Sequence, residues 1–298
     1  MQPAGYLRNY WAVIPVSKQK QCSSDKELII ETTDVVYFYD NQIKALNGIN
    51  IKVFKNEIVG IMGRNGGGKT TLAKHFNGIL KPCSGDVFVY GKNTKNGDVR
   101  EFTGKVGYVF QNPDHQFFRV TVLKEMEAGP DNFGLSNKQK KENIEKAVVL
   151  LDLSDLLQKH PMELDYAAKK KVSYASILAF APRVIILDEP TAGLYEADRK
   201  LFSNSINKLS EAGNTVIIIS NDIDFIVENA KRVVLISDGS VAGDGSTTGV
   251  LRDIPLLKRA GIVPPQISRL DMRLFGNNKT ALSVKDFADK FSNIYNKV

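Results

Sequence analysis

One octapeptide constrains this chain more than any other feature: Gly63-Arg64-Asn65-Gly66-Gly67-Gly68-Lys69-Thr70 fits the spacing GxxxxGK[ST] in full. An apolar run at residues 57–62 precedes it and a helix-forming run at residues 71–77 follows. In a strand–loop–helix setting the glycines let backbone N–H groups turn inward into a concave anion nest. The helix start adds its positive dipole end beneath the bound anion. The spacing assigns Lys69 to the β- and γ-phosphates of ATP and the Thr70 hydroxyl to Mg²⁺. A glycine-rich turn with a chance Lys-Thr is the competing reading, and it leaves the flanking strand and helix unexplained.

Further apolar runs at residues 184–187, 215–219 and 232–236 read as strands buried on both faces, as in a parallel sheet. A helical pattern at 196–212, ended by Gly213, lies between the first two, which is the β–α–β order of an α/β fold. The strand at 184–187 runs into Asp188 and Glu189. Parallel strands place such residues at the carboxyl edge of the sheet, where ligands bind. Asp188 is then expected to hold Mg²⁺ through its shell, and Glu189 to polarise a water beside the γ-phosphate. The alternative is a solvated strand end.

The rest of the chain divides around this core. Residues 28–53 alternate aromatic and β-branched side chains around Asp40-Asn41, as antiparallel strands do. Residues 137–181 are charged and helical by period, with Lys-rich faces and Leu/Val stripes. The expected division is an N-terminal extension at 1–27, an ATP-binding domain at 28–249 with a helical subdomain at about 113–182, and a C-terminal helical segment at 250–298.

Composition narrows the function. The formal charge of +7 is spread along the chain as a solvated basic surface. No aromatic-interleaved basic stripe marks a nucleic-acid groove, so no nucleic-acid partner is expected. Two cysteines, Cys22 and Cys83, carry no metal-ligand spacing and fit a reducing compartment. No stretch is long and apolar enough to cross a bilayer.

At this point a family resemblance becomes specific. The chain looks like a nucleotide-binding subunit of an ATP-binding cassette (ABC) transporter, with a P-loop NTPase (RecA-like) core, an antiparallel β subdomain and an inserted helical subdomain. Leu187-Asp188-Glu189-Pro190-Thr191-Ala192-Gly193-Leu194 is similar to the family's LDEPTAGLD, and Val109-Phe110-Gln111-Asn112-Pro113 resembles its Q-loop. The resemblance implies that Gln111 touches Mg²⁺, that Tyr39 stacks on adenine, and that Thr71 joins the phosphate loop in holding ATP. A narrower likeness lies in Gln111-Asn112-Pro113-Asp114-His115-Gln116-Phe117-Phe118, in Ala128-Gly129-Pro130 and in Ala260-Gly261-Ile262-Val263-Pro264-Pro265-Gln266-Ile267. These resemble the ATPases of energy-coupling factor (ECF) transporters. That likeness implies ATP-driven uptake of a vitamin or metal ion, at the cytoplasmic face of the cell membrane. Its partners would be a second ATPase, a transmembrane scaffold and a substrate-binding membrane subunit.

Three family positions depart. Where the signature LSGGQ is expected, Asp165-Tyr166-Ala167-Ala168 follow Leu164; Tyr195 replaces the aspartate after Gly193-Leu194; Asn221 replaces the switch histidine. In the family the signature grips the partner subunit's γ-phosphate across a head-to-tail dimer. A carboxylate there repels a phosphate about 4 Å away by roughly 1 kcal/mol in water and about 4 kcal/mol near a protein surface. Asn221 can hydrogen-bond a phosphate but cannot become cationic. The expected unit is therefore a heterodimer with an intact second ATPase. The alternatives are a subunit that binds ATP but hydrolyses weakly, and a soluble ABC ATPase of translation or DNA repair.

Overall fold

The structure, a computed structural model, describes residues 27–40, 42–276 and 280–295. Most of the expected N-terminal extension, together with Cys22 and Asn41, lies outside the described residues. β1 (Leu28–Tyr39) and β2 (Ile43–Phe54) pair antiparallel on either side of Asp40. β3 (Ile58–Met62) leads through the glycine loop into α1 (Lys69–Phe76), followed by β4 (Ser84–Val89), β5 (Lys92–Asn93), α2 (Val99–Thr103) and β6 (Val106–Val109). Three helices come next, α3 (Val122–Asn132), α4 (Asn137–Leu151) and α5 (Tyr166–Ala179), and α5 packs on both α3 and α4. The chain returns to the sheet through β7 (Val184–Asp188), α6 (Glu196–Glu211), β8 (Thr215–Ile219), α7 (Ile223–Asn229) and β9 (Arg232–Ser237). It continues with β10 (Ser240–Ser246), α8 (Thr247–Arg252), α9 (Ile254–Arg259), α10 (Gln266–Phe275) and α11 (Val284–Tyr295).

Two sheets result. One is antiparallel, in the order β2-β1-β4-β5. The other has six strands in the order β10-β9-β3-β8-β7-β6, parallel except that β10 runs against β9. Every residue of β3, β7 and β8 is buried, which is why these segments read as continuous Val/Ile/Leu runs. Their alternate side chains feed two cores. Val59, Ile61, Ile186, Ile217 and Ile219 pack with β1, β2, β4 and α1 on one face. Ile58, Met62, Ile185, Leu187, Val216 and Ile218 pack with the helices on the other. A sheet covered on both faces holds its strand ends still, and the site lies at those ends.

The sequence patterns mark four strands of this sheet; the structure adds one at each edge. β6 has only four residues, one of them Gly107, too few to show a period. β10 is Ser-Val-Ala-Gly-Asp-Gly-Ser, an edge strand with no apolar run to recognise. Within the stretch expected as a helical subdomain at about 113–182, a helix precedes the periodic run at 137: α3, whose start is capped by the Thr121 hydroxyl accepting from Lys124 N. α1 begins at Lys69 rather than at residue 71.

Candidate nucleotide and metal site

The loop between β3 and α1 is shaped by contacts that exclude side chains. Gly63 has φ of 154°, and a Cβ there would fall 2.0 Å from the Ile236 carbonyl oxygen. At Gly68, with φ of 103°, it would fall 2.5 Å from the Ala45 carbonyl oxygen. Only glycine fits at either position. Gly68 is also the N-cap of α1 and offers no side chain, so the first N–H groups of that helix stay available to an anion.

Asn65, Gly66, Gly67, Gly68, Lys69, Thr70 and Thr71 line a cavity of about 480 Å³ together with Tyr39, Gln111, Asp188 and Glu189. Gly63 and Arg64 do not line it. They border a neighbouring cavity of about 400 Å³ with Asn65, Asn221 and residues 261–263. The buried Lys69 amine folds back on its own loop and donates to the carbonyls of Gly63 (2.6 Å) and Arg64 (3.2 Å). Burial lowers its pKa, and the Glu189 and Asp188 carboxylates partly restore it.

β7 delivers Asp188 to the floor of the cavity, 3% exposed. Its Oδ2 accepts from the Thr70 hydroxyl at 2.9 Å and from the Tyr108 hydroxyl at 2.5 Å. Its Oδ1 is buried with no partner among the described residues, an orphan that a cation or its bound water would satisfy. Thr70 and Asp188 therefore fit a hard divalent cation. Gln111 lies exposed on the cavity wall beyond the end of β6.

Glu189 is the first residue past β7. It sits in the left-handed region at φ of 47°, which is uncommon outside glycine. Its N–H is tied to the Ile219 carbonyl at 2.8 Å and its Oε2 accepts from the Ser220 hydroxyl at 3.1 Å. Burial pushes its carboxyl above the ordinary range, while Ser220 and Lys69 pull it back. Tyr39 stands 37% exposed at the cavity mouth, outside the core, with its hydroxyl 3.1 Å from Thr71 Oγ1 and its ring edge-on to Tyr37.

The departed positions lie elsewhere. Asp165 caps α5, and its Oδ1 accepts from Ala168 N at 2.8 Å. A carboxylate thus already occupies the end of that helix. Tyr166 lays its ring over Gly193, where a Cβ would come within 2.9 Å of it. Tyr195 is 84% exposed. Asn221 reaches the phosphate loop and donates to Asn65 Oδ1 at 2.7 Å. His75 is buried, its Nδ1 2.8 Å from the Thr71 carbonyl oxygen; His115 is exposed, and neither it nor His160 lines either cavity.

Three residues at the site escape sequence reasoning: Tyr108, Ser220 and Lys170. Tyr108 is legible only once β6 is known to pair with β7, which sets it beside Ile186, two residues before Asp188. Ser220 follows β8 directly and is the neighbour of Asn221. Lys170 sits inside a Lys-Lys-Lys run that looks like solvated surface, yet it is 4% exposed.

The family profile described as ABC transporter matches residues 46–192. A putative ABC transporter ATP-binding protein of Caldanaerobacter subterraneus subsp. tengcongensis is 41% identical over 260 residues, 87% of this chain. The chain spans 45% of that relative's length. The energy-coupling factor transporter ATP-binding protein EcfA of Methanocaldococcus jannaschii is 37% identical over 244 residues, covering 81% of this chain and 88% of the relative. Among solved structures, cbiO1 from Clostridium perfringens, described as part of the ABC transporter complex cbiONQ, superposes with a TM-score of 0.68. It shares 31% identity and covers 82% of this chain and 99% of its own.

Proposed function

The chain belongs to the family of ABC transporter ATPases, and from that premise we propose that it is the ATP-binding and hydrolysing subunit of an ECF-type importer, taking up a vitamin or metal ion, paired with a second ATPase. The observation that carries this reading is the convergence, in one cavity, of the phosphate loop with Thr70, Asp188 and Glu189. The ABC domain is assigned to residues 28–249, with 250–298 appended to it.

In this reading ATP lies with its adenine against Tyr39 and its phosphates over the start of α1. Lys69 leaves the Gly63 and Arg64 carbonyls to bridge the β- and γ-phosphates. Thr70 and Asp188, with Gln111 on the cavity wall, would hold Mg²⁺, which would supply charge neutralisation when bound. Glu189 orients a water for in-line attack on the γ-phosphorus and accepts its proton as the bond to ADP breaks.

Tyr108 belongs to the same machinery. With two donors fixed on Oδ2, the free Oδ1 keeps one direction. Outer-shell partners of this kind are worth about 10- to 100-fold in metal affinity. Tyr108→Phe is therefore expected to raise the Mg²⁺ concentration needed for nucleotide binding by about tenfold. Binding of a fluorescent ATP analogue, titrated with Mg²⁺ and repeated in chelator, measures this; binding in chelator should not change.

A second reading has its own support. Asp165 at the start of α5 and Asn221 beside the phosphate loop suit a subunit that binds ATP and closes a dimer but turns over slowly. In both readings the chain sits peripherally on the cytoplasmic face, and among the described residues no helix is long and apolar enough to cross a membrane. Affinity purification from detergent-solubilised membranes tests the assignment. A second ABC ATPase and membrane subunits should copurify; recovery of the chain free of any membrane protein would favour the soluble ABC class instead.

A further inference from the structure

Lys170 is a buried titratable group for which the mechanism above has no use. It extends from the second turn of α5, 4% exposed, and donates to the carbonyl of Glu189 and, at 3.4 Å, to that of Pro190. The Tyr166 ring covers it, with Nζ 5.5 Å from the ring centroid. Among the described residues it forms no ion pair with a carboxylate, unlike its neighbours Lys169 and Lys171, which pair with Asp114 and Asp198.

An unpaired buried ammonium is costly, and an apolar side chain of similar shape is usually tolerated better in such a place. The carbonyl it reaches does not depend on it, since Glu189 O also accepts from Ala192 N at 3.3 Å. What the amine adds is direction. Glu189 holds a left-handed backbone at φ of 47°, and a charged donor on its carbonyl keeps the peptide from rotating.

Resting on the ATPase reading, we propose that Lys170 is a positioning residue, which acts through the backbone of Glu189 to aim that carboxylate at the attacking water. It ties the altered signature segment to this chain's own acid. The charged groups around it are Asp188 at the end of β7 and Glu189 just past it, with Lys69 across the cavity beside Glu189; from its own helix the Tyr166 ring faces it. Burial pulls the amine down to about 8, and the two carboxylates oppose that fall. The ammonium is thus lost at mildly alkaline pH, whereas an arginine would keep its charge.

The test uses the complex purified through this chain, carrying wild-type, Lys170→Met or Lys170→Arg protein. Equilibrium ATP binding, single-turnover hydrolysis, melting temperature and a pH profile from about 6.5 to about 9.5 are measured for each. Lys170→Met is expected to slow hydrolysis by about 10- to 100-fold while ATP affinity stays within about twofold. Lys170→Arg should recover most of the rate and lose the alkaline fall seen in wild type. A Lys170→Met complex that hydrolyses at the wild-type rate overturns the proposal. So does one in which ATP affinity, melting temperature and rate fall together, because that marks a merely structural contact. An unchanged rate in Lys170→Met beside active wild type sinks this inference alone; wild-type protein that binds ATP without hydrolysing it would sink the hydrolysing reading and this inference with it.

Discussion

Glu189→Gln is expected to lower ATP hydrolysis by about 10²- to 10⁴-fold while leaving ATP and Mg²⁺ bound. The substitution keeps the size of the side chain, and its amide oxygen can still accept from the Ser220 hydroxyl. It removes the capacity to take a proton from water, and it removes one negative charge beside the γ-phosphate. Repulsion between unit charges at about 4 Å is worth roughly 1–4 kcal/mol in partly exposed surroundings, so ATP affinity should hold or rise. The pH profile carries a second mark. Burial raises the Glu189 carboxyl, so the base form is lost as pH falls through that raised value. Wild-type hydrolysis should therefore decline on the acid side earlier than an exposed glutamate would dictate, and the residual rate of the variant should lack that limb. Single-turnover phosphate release beside equilibrium binding measures both. Unchanged hydrolysis and transport in the variant would instead place turnover in the partner and leave this chain a structural nucleotide site.

The parts of this molecule that were legible in advance share a physical property. The phosphate loop is a local motif whose glycines answer to steric contacts, as Gly63 and Gly68 show. β3, β7 and β8 are buried on both faces, so their sequences carry an unbroken apolar signal. The residues that escaped depend on pairings distant in the chain. Tyr108 meets Asp188 across 80 positions and Ser220 meets Glu189 across 31. Lys170 has the composition of a surface residue, and only the turn after β7 folding under α5 makes it internal. Arg64 shows the opposite failure: it belongs to the motif by spacing, yet it turns toward the second cavity.

Restoring the signature should have the largest effect in the direction of gain. In the proposed head-to-tail pair, the start of α5 faces the partner's γ-phosphate, and here that helix end already holds the Asp165 carboxylate on Ala168 N. Asp165→Ser removes the charge but keeps an N-cap, since serine caps helices about as well as aspartate. Tyr166→Gly and Ala167→Gly let the backbone approach, at about 1 kcal/mol each in helix propensity. Loss of the Tyr166 ring also uncovers Gly193 and Lys170, so melting temperature is followed alongside. Relief of up to about 4 kcal/mol of repulsion corresponds to roughly a thousandfold in the closed-dimer equilibrium. The purified wild-type chain is accordingly expected to be a poor ATPase, because each site of a homodimer would combine its own Asn221 with the other copy's Asp165. The triple variant should hydrolyse ATP at least about 100-fold faster and form an ATP-dependent dimer on a sizing column, with Asn221→His adding to the rate. Wild-type chain that alone hydrolyses ATP at transporter-like rates would show that Asp165 and Asn221 impose no defect, and the case for a heterodimer would fall with it.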